Sequence, residues 1–186
     1  MNVYDRMESC IAASRRPGRE SLSSLLKALH DEAWEVRYSA AVALGDLRDP
    51  AAVDGLLALL KGEDAAPLFS QPGECMGSAG STLASSPDLP QSVANETLEA
   101  WRRRGRVKQA ACFALGSIAK PDPRVLEVLH RYALDTAQDY MVRAAACKAL
   151  GQIASPESRA ALQAAANDEE WCTKTEARKA LKALTG

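Results

Sequence analysis

Histidine is almost missing from this chain, with two among 186 residues. His30 and His130 each follow a leucine and precede Asp31 and Arg131, so neither forms a His-Glu pair, and no cluster of Cys and His has ligand spacing. The five cysteines are odd in number and form no C-x-x-C pair, which excludes both a usual zinc ligand set and a paired disulfide framework. No G-x-S-x-G and no P-loop occur, and GSAGS at Gly77 to Ser81 lacks the lysine and the preceding strand of a phosphate cradle. No catalytic, cofactor-binding or metal-binding residue is therefore assigned, no cofactor is expected, and enzymatic activity of the chain's own is disfavoured. Apolar runs are short as well. None approaches the roughly 18 residues of a bilayer span, and MNVYDRMESCIAASRRPG lacks the apolar middle of a signal peptide, so no membrane contact is expected and the cytoplasm is the expected compartment. Aromatics make up 5% of residues and the net charge is -1, against 47% hydrophobic residues, the composition of a soluble folded domain.

What the chain does have is repetition. VRYSAAVALGDLRDP from Val36, VKQAACFALGSIAKP from Val107 and VRAAACKALGQIASP from Val142 agree place by place: valine, then a base, alanine at place five, then Ala-Leu-Gly, and a closing proline. TKTEARKALKALTG from Thr173 is a fourth, truncated copy. The valine starts lie 71 and 35 residues apart, which predicts a period of about 35 residues with one degenerate copy between the first two. Apolar residues at places 1, 5, 8, 9 and 12, as in Val36, Ala40, Ala43, Leu44 and Leu47, form the one-sided stripe of an amphipathic helix. Each proline suits the first turn of a further helix, visible in AAVDGLLALLK, RVLEVLHRYAL and SRAALQAAA; SLSSLLKALH reads as the second helix of an earlier unit that opens near the N-terminus. The recurring glycine gives room either to a neighbouring helix, to a tightened last turn, or to a ligand; one of the two structural uses is expected, not the ligand.

The pattern V-R-x-x-A-A-x-A-L-G-x-L, followed by D-P and a leucine-rich helix, resembles the HEAT-like repeats of phycobilisome lyase subunits, most closely over Val36 to Lys61. The resemblance implies an all-α, right-handed α-α superhelix of about four to five helical pairs, a single solenoid domain over 1–186. Such repeats occur in bilin lyase subunits, deoxyhypusine hydroxylase, DNA glycosylases and protein-binding scaffolds. His30 and His130 do not make the His-Glu pair on which the hydroxylase iron site is built. A non-catalytic, monomeric protein-interaction scaffold is expected, with a bilin lyase-like subunit and a nucleic-acid binder as alternatives. The resemblance also implies binding on the face of second helices, where Asp54, Lys61, Glu127 and Arg131 are the exposed candidates.

The repeat breaks over 62–89, a segment rich in Gly, Ser and Pro that replaces one repeat helix. Helix is expected to end at Lys61 and to resume near Gln91 as a second helix that stops before Gly105. Leu68, Phe69, Met76 and Leu83 are expected to fold back over the stripe that the lost helix leaves uncovered. Cys75 lies in this segment; Cys112 and Cys147, at one place in two copies, read as small buried hydrophobes.

Two surface constellations remain. Trp34, Tyr140 and Trp171 each stand three residues before a base, Arg37, Arg143 and Lys174, a spacing that permits cation-π pairing. These pairs either pack on the loop of the preceding unit or form an aromatic, basic ridge. Arg102, Arg103, Arg104, Arg106 and Lys108 follow Trp101 in the densest run of positive charge. It could meet phosphate, an acidic protein, or only water; the slightly acidic whole makes nucleic acid the least expected partner.

Overall fold

Helix starts follow the acidic and proline punctuation of the chain. Asn2 and Asp5 close a reciprocal capping box at α1 (Val3–Ser14), satisfying N–H groups that a helix start leaves free. α2 spans Arg19–Ala28 and α3 Trp34–Leu47. Asp49 caps the 3-10 turn Pro50–Ala52, which runs straight into α4 (Val53–Ala65). α5 is Gln91–Ile118, α6 is Pro123–Leu134 with Asp122 as its cap, and α7 is Tyr140–Ile153, capped by Asp139. A second proline-led 3-10 turn, Pro156–Ser158, leads into α8 (Arg159–Ala165), and α9 is Trp171–Ala183. This is a computed structural model, which describes residues 1–65 and 91–185, with side chains in α5 described from Glu99 onward. All regular structure among the described residues is helical.

The helices stack in two layers. α1, α3, the C-terminal half of α5, α7 and α9 lie side by side, each pairing with the next, while α2, α4, α6 and α8 form the second layer. The stripe places are the core: Val36, Ala40 and Leu44, then Val107, Ala111 and Leu115, then Val142, Ala146 and Leu150 are all fully or almost fully buried. In the last copy Thr173 takes the valine place and stays buried because its hydroxyl donates to the carbonyl of Tyr140 at 3.3 Å. Alanine and glycine let the first helices touch. A Cβ placed on Gly45 would lie 3.0 Å from Cα of Ala114, one on Gly116 2.7 Å from Cα of Ala149, and one on Gly151 2.9 Å from Cα of Ala180. Each glycine therefore admits the alanine of the next copy. The last turn is closed elsewhere, by Arg48, Ala119 and Ala154, all left-handed at φ 53°, whose N–H groups donate to Leu44, Leu115 and Leu150.

Three expectations about the gap in the repeat are corrected: a degenerate unit within it, a helix end at Lys61 and a helix stop before Gly105. The copies at Val36 and Val107 are direct neighbours in the stack, as the Gly45–Ala114 contact shows, so no degenerate unit lies between them. The stripe of α3 is covered by α5; Leu68, Phe69, Met76 and Leu83, expected to fold back over the stripe that the lost helix leaves uncovered, lie outside the described residues, as does Cys75. α4 also continues past Lys61 to Ala65, so the first residues assigned to the insert are helical. α5 does begin at Gln91, but it runs unbroken through Gly105 and merges what spacing divides into two helices. A single interior glycine costs a helix only about 1 kcal/mol, and Gly105 is buried against Asp139, where tertiary contact offsets that cost.

Candidate functional site

The base at the second place of each of the three full copies, Arg37, Lys108 and Arg143, turns inward. Arg37 donates to Glu63 at 2.8 Å and to the carbonyls of Asp31 and Glu32 at 2.9 and 3.0 Å. Arg143, with its side chain 3% exposed, grips both carboxylate oxygens of Asp168 at 3.0 Å and donates to the Gln138 carbonyl at 2.8 Å. In α1, Arg6 meets Asp31 in the same way, at 2.9 Å. In all three cases the acid lies at or just beyond the end of the unit's second helix, 25 or 26 residues further on. Lys108 departs from this rule because the residues at that offset, Ala133 and Leu134, are apolar. It reaches back instead to Asp64 at 2.7 Å, and forward to Gln138 at 3.0 Å.

Asp64 becomes the polar centre of that joint. It accepts from Arg131 at 2.8 Å and from the Tyr132 hydroxyl at 2.9 Å, while the Arg131 guanidinium lies 4.7 Å from the Tyr132 ring centre. Burial acts to raise the Asp64 pKa, but hydrogen bonds from Lys108 and Arg131 outweigh it and hold the carboxyl below its ordinary value. Burial, with Asp64 adding to it, pushes the Tyr132 hydroxyl well up. Cys112 and Cys147 are fully buried, and burial pushes both thiols up to about 12, so they are unreactive packing groups. His130, lowered by burial, meets the Ser158 hydroxyl at 3.0 Å.

Of the two readings of the aromatic-base pairs, the described contacts show no cation-π ridge. Trp34 is half-buried against the core, Arg37 and Arg143 are committed to carboxylates, and Lys174 is half-exposed without a ring contact. Cation-π contacts among the described residues are those of Lys108 and Arg131 with Tyr132 and of Lys148 with Phe113. The physical reason is that a buried carboxylate offers a guanidinium two directed, charge-assisted bonds, which outweigh a ring face. What the sequence placed correctly is the packing on the preceding turn, through the carbonyls of Asp31, Glu32 and Gln138. Tyr140 and Trp171 stay 40% and 72% exposed.

The basic cluster is divided around its helix. Arg102, Arg103 and Arg106 are exposed, with Arg102 bound to Glu99 at 2.9 Å. Arg104 is half-buried beside a cleft lined by His30, Arg37 and Glu63, and Lys108 is buried, which removes both from any single phosphate-facing surface. Of the candidates on the second helices, Asp54 pairs with Arg124 at 2.8 Å across α4 and α6, and Arg131 with Asp64. Lys61 and Glu127 are exposed on the same two helices.

The structure also brings together residues that sequence reasoning passed over. Between α5, α7 and α9 runs an open groove of about 330 Å³, floored by Phe113, Met141 and Ala144 and walled by Trp171. Lys148 and Lys179 form its rim; Lys148 lies 4.9 Å from the Phe113 ring centre, and Lys179 bonds Glu176 at 2.6 Å. The apolar surface continues along α3 as Tyr38 and Val42, 38% and 41% exposed. Its signal was present at place seven, off the core stripe, which holds Val42 and Phe113 in the first two copies and Lys148 and Lys179 in the last two, while place three is Tyr38 in the first copy and Gln109 in the second. Such a groove can seat side chains of a partner, and no described residues group as metal ligands. No helix among the described residues is long and apolar enough to cross a membrane.

A profile of HEAT repeats matches residues 1–68 and 96–182, and the chain belongs to the HEAT-repeat family. Among solved structures it is similar to human deoxyhypusine hydroxylase in complex with glycerol, with 19% identity over 97% of this chain and 79% of that one and a TM-score of 0.41. An engineered protein is similar at 22% identity, over 97% of this chain and 88% of that one, with a TM-score of 0.38. No curated protein matches the chain.

Proposed function

We propose that the chain is a non-catalytic scaffold that holds a protein partner on the face of its first helices. The observation that carries this reading is the open groove with Trp171, 72% exposed, standing at its wall beside Met141 and Phe113. Aromatic and methionine side chains left in water at the centre of a charged rim are the usual anatomy of a binding hot spot. The second-helix face, with Lys61 and Glu127, is a weaker candidate because it offers no comparable apolar area. The repeat wording from Val36 to Pro50 supports a finer assignment to the phycobilisome lyase type, which would place a chromophore-bearing protein among the partners.

The test is site-specific photo-crosslinking. A benzophenone side chain in place of Met141 should give one dominant protein adduct in extract of the native cell, abolished by adding Trp171→Ala. Adducts equal to those from the same probe at exposed Glu8, or turnover of a substrate by the isolated chain, would count against the scaffold.

A further inference from the structure

We infer that the groove between α5, α7 and α9 takes an acidic, amphipathic peptide segment, with a large apolar side chain seated between Phe113, Met141 and Trp171 and carboxylates on Lys148 and Lys179. The inference rests on the scaffold reading and narrows it to a partner chemistry. Its first support is charge. α9 presents Lys174, Arg178, Lys179 and Lys182 at its half-exposed and exposed positions against the single carboxylate of Glu176, which Lys179 already holds. At the other end, Arg106 stands one turn before Gln109 on the face of α5 that Gln109 and Phe113 use to line the groove. Positive charge thus brackets an apolar floor in a chain whose net charge is -1. That local asymmetry steers a negatively charged partner into the slot.

The second support is shape. The floor at Ala144 and Ala145 is narrow and aliphatic, suited to an inserted side chain, with Met141 able to repack around it. A nucleic-acid strand fits less well. Lys148 occupies the Phe113 ring on which a base would stack, and the Glu176 carboxylate lies in the groove where phosphates would pass.

Selection of random dodecapeptides displayed on phage, against the full chain, tests this. Enriched sequences should carry Asp or Glu around a Leu, Phe, Trp or Met anchor. A labelled consensus peptide should bind the parent and lose about tenfold or more in affinity on Trp171→Ala. Lys148→Glu with Lys179→Glu should abolish binding, with melting temperature unchanged in both variants because these side chains are solvent-facing. Basic or anchorless consensus sequences, or binding indifferent to all three substitutions, would overturn the inference. If such indifferent peptides respond instead to Lys61→Glu and Glu127→Lys, the scaffold survives and only the groove assignment falls. If no peptide enriches, the inference fails; oligo(dT) binding lost on Arg106→Glu would then take the scaffold reading with it.

Discussion

Gly116 and Gly62 are both helical glycines, yet alanine should have opposite effects at the two. A Cβ on Gly116 meets backbone of α7, 2.7 Å from Cα of Ala149, and backbone cannot swing aside. Gly116→Ala should destabilise by about 1–3 kcal/mol, the range for overpacking a close-packed interior. Among the described residues nothing lies within 4 Å of a Cβ on Gly62, so Gly62→Ala should raise stability by about 0.5–1 kcal/mol through the unfolded chain's lost freedom. Urea midpoints at constant m-value measure both. The glycine pattern was legible in the sequence, since three copies repeat it; which of its packing uses applies was not, because the neighbour that fills the space comes from another copy. The inward turn of Arg37 and Arg143 was hidden for a similar reason. Their carboxylates lie 25 or 26 residues away, at or just beyond the end of the unit's second helix, whereas the aromatic three residues upstream is adjacent in the chain and invites a pairing that the folded stack does not use.

At the scale of elements, the joint between α4 and α5 governs two expectations. Asp64 is lowered from its ordinary 3.8, so the stabilisation it contributes is present above that value and is lost as pH falls through the lowered folded value. Acid unfolding of the parent should therefore steepen below about pH 4, and Asp64→Asn, less stable at neutral pH, should show a shallower slope in that window. The second expectation concerns the chain between Ala65 and Gln91. Lys108 touches Asp64 at the end of α4, and α5 carries Gln91 about 25 Å from that point at about 1.5 Å per residue. About eight extended residues span this distance. Replacing 68–88 by a Gly-Ser linker of about ten residues should leave the melting temperature nearly unchanged, since closure entropy shifts by less than about 2 kcal/mol. A variant that aggregates would restore the covering role for Leu68, Phe69, Met76 and Leu83. Element boundaries were legible where proline or an acid marks them, at Pro50, Asp122 and Pro156. They were illegible through Gly105, where burial against Asp139 overrides a weak local signal.

Across the whole molecule, stability should fall off towards the ends of the stack, because each unit leans only on its neighbours. Leu115, 1% exposed with helices on both sides, should cost about 2–5 kcal/mol on replacement by alanine. Leu181, half-exposed in the closing helix, should cost less; equal losses in a thermal or denaturant series would contradict a linear stack. The all-α architecture was legible from the stripe, but stack order was not, because 71 residues of sequence separate the Val36 and Val107 copies that the fold makes direct neighbours. The described residues therefore fall into two pieces, 1–65 and 91–185, tethered covalently through 66–90. Cut once within 66–90, the chain would yield two fragments whose shared seam holds the Gly45–Ala114 contact and the Asp64 cluster with Lys108, Arg131 and Tyr132. Mixed together, the pieces should reassemble with a one-to-one stoichiometry, and Gly45→Leu should keep them apart, so that whatever controls the tether's integrity in the cell would control whether the two halves act as one.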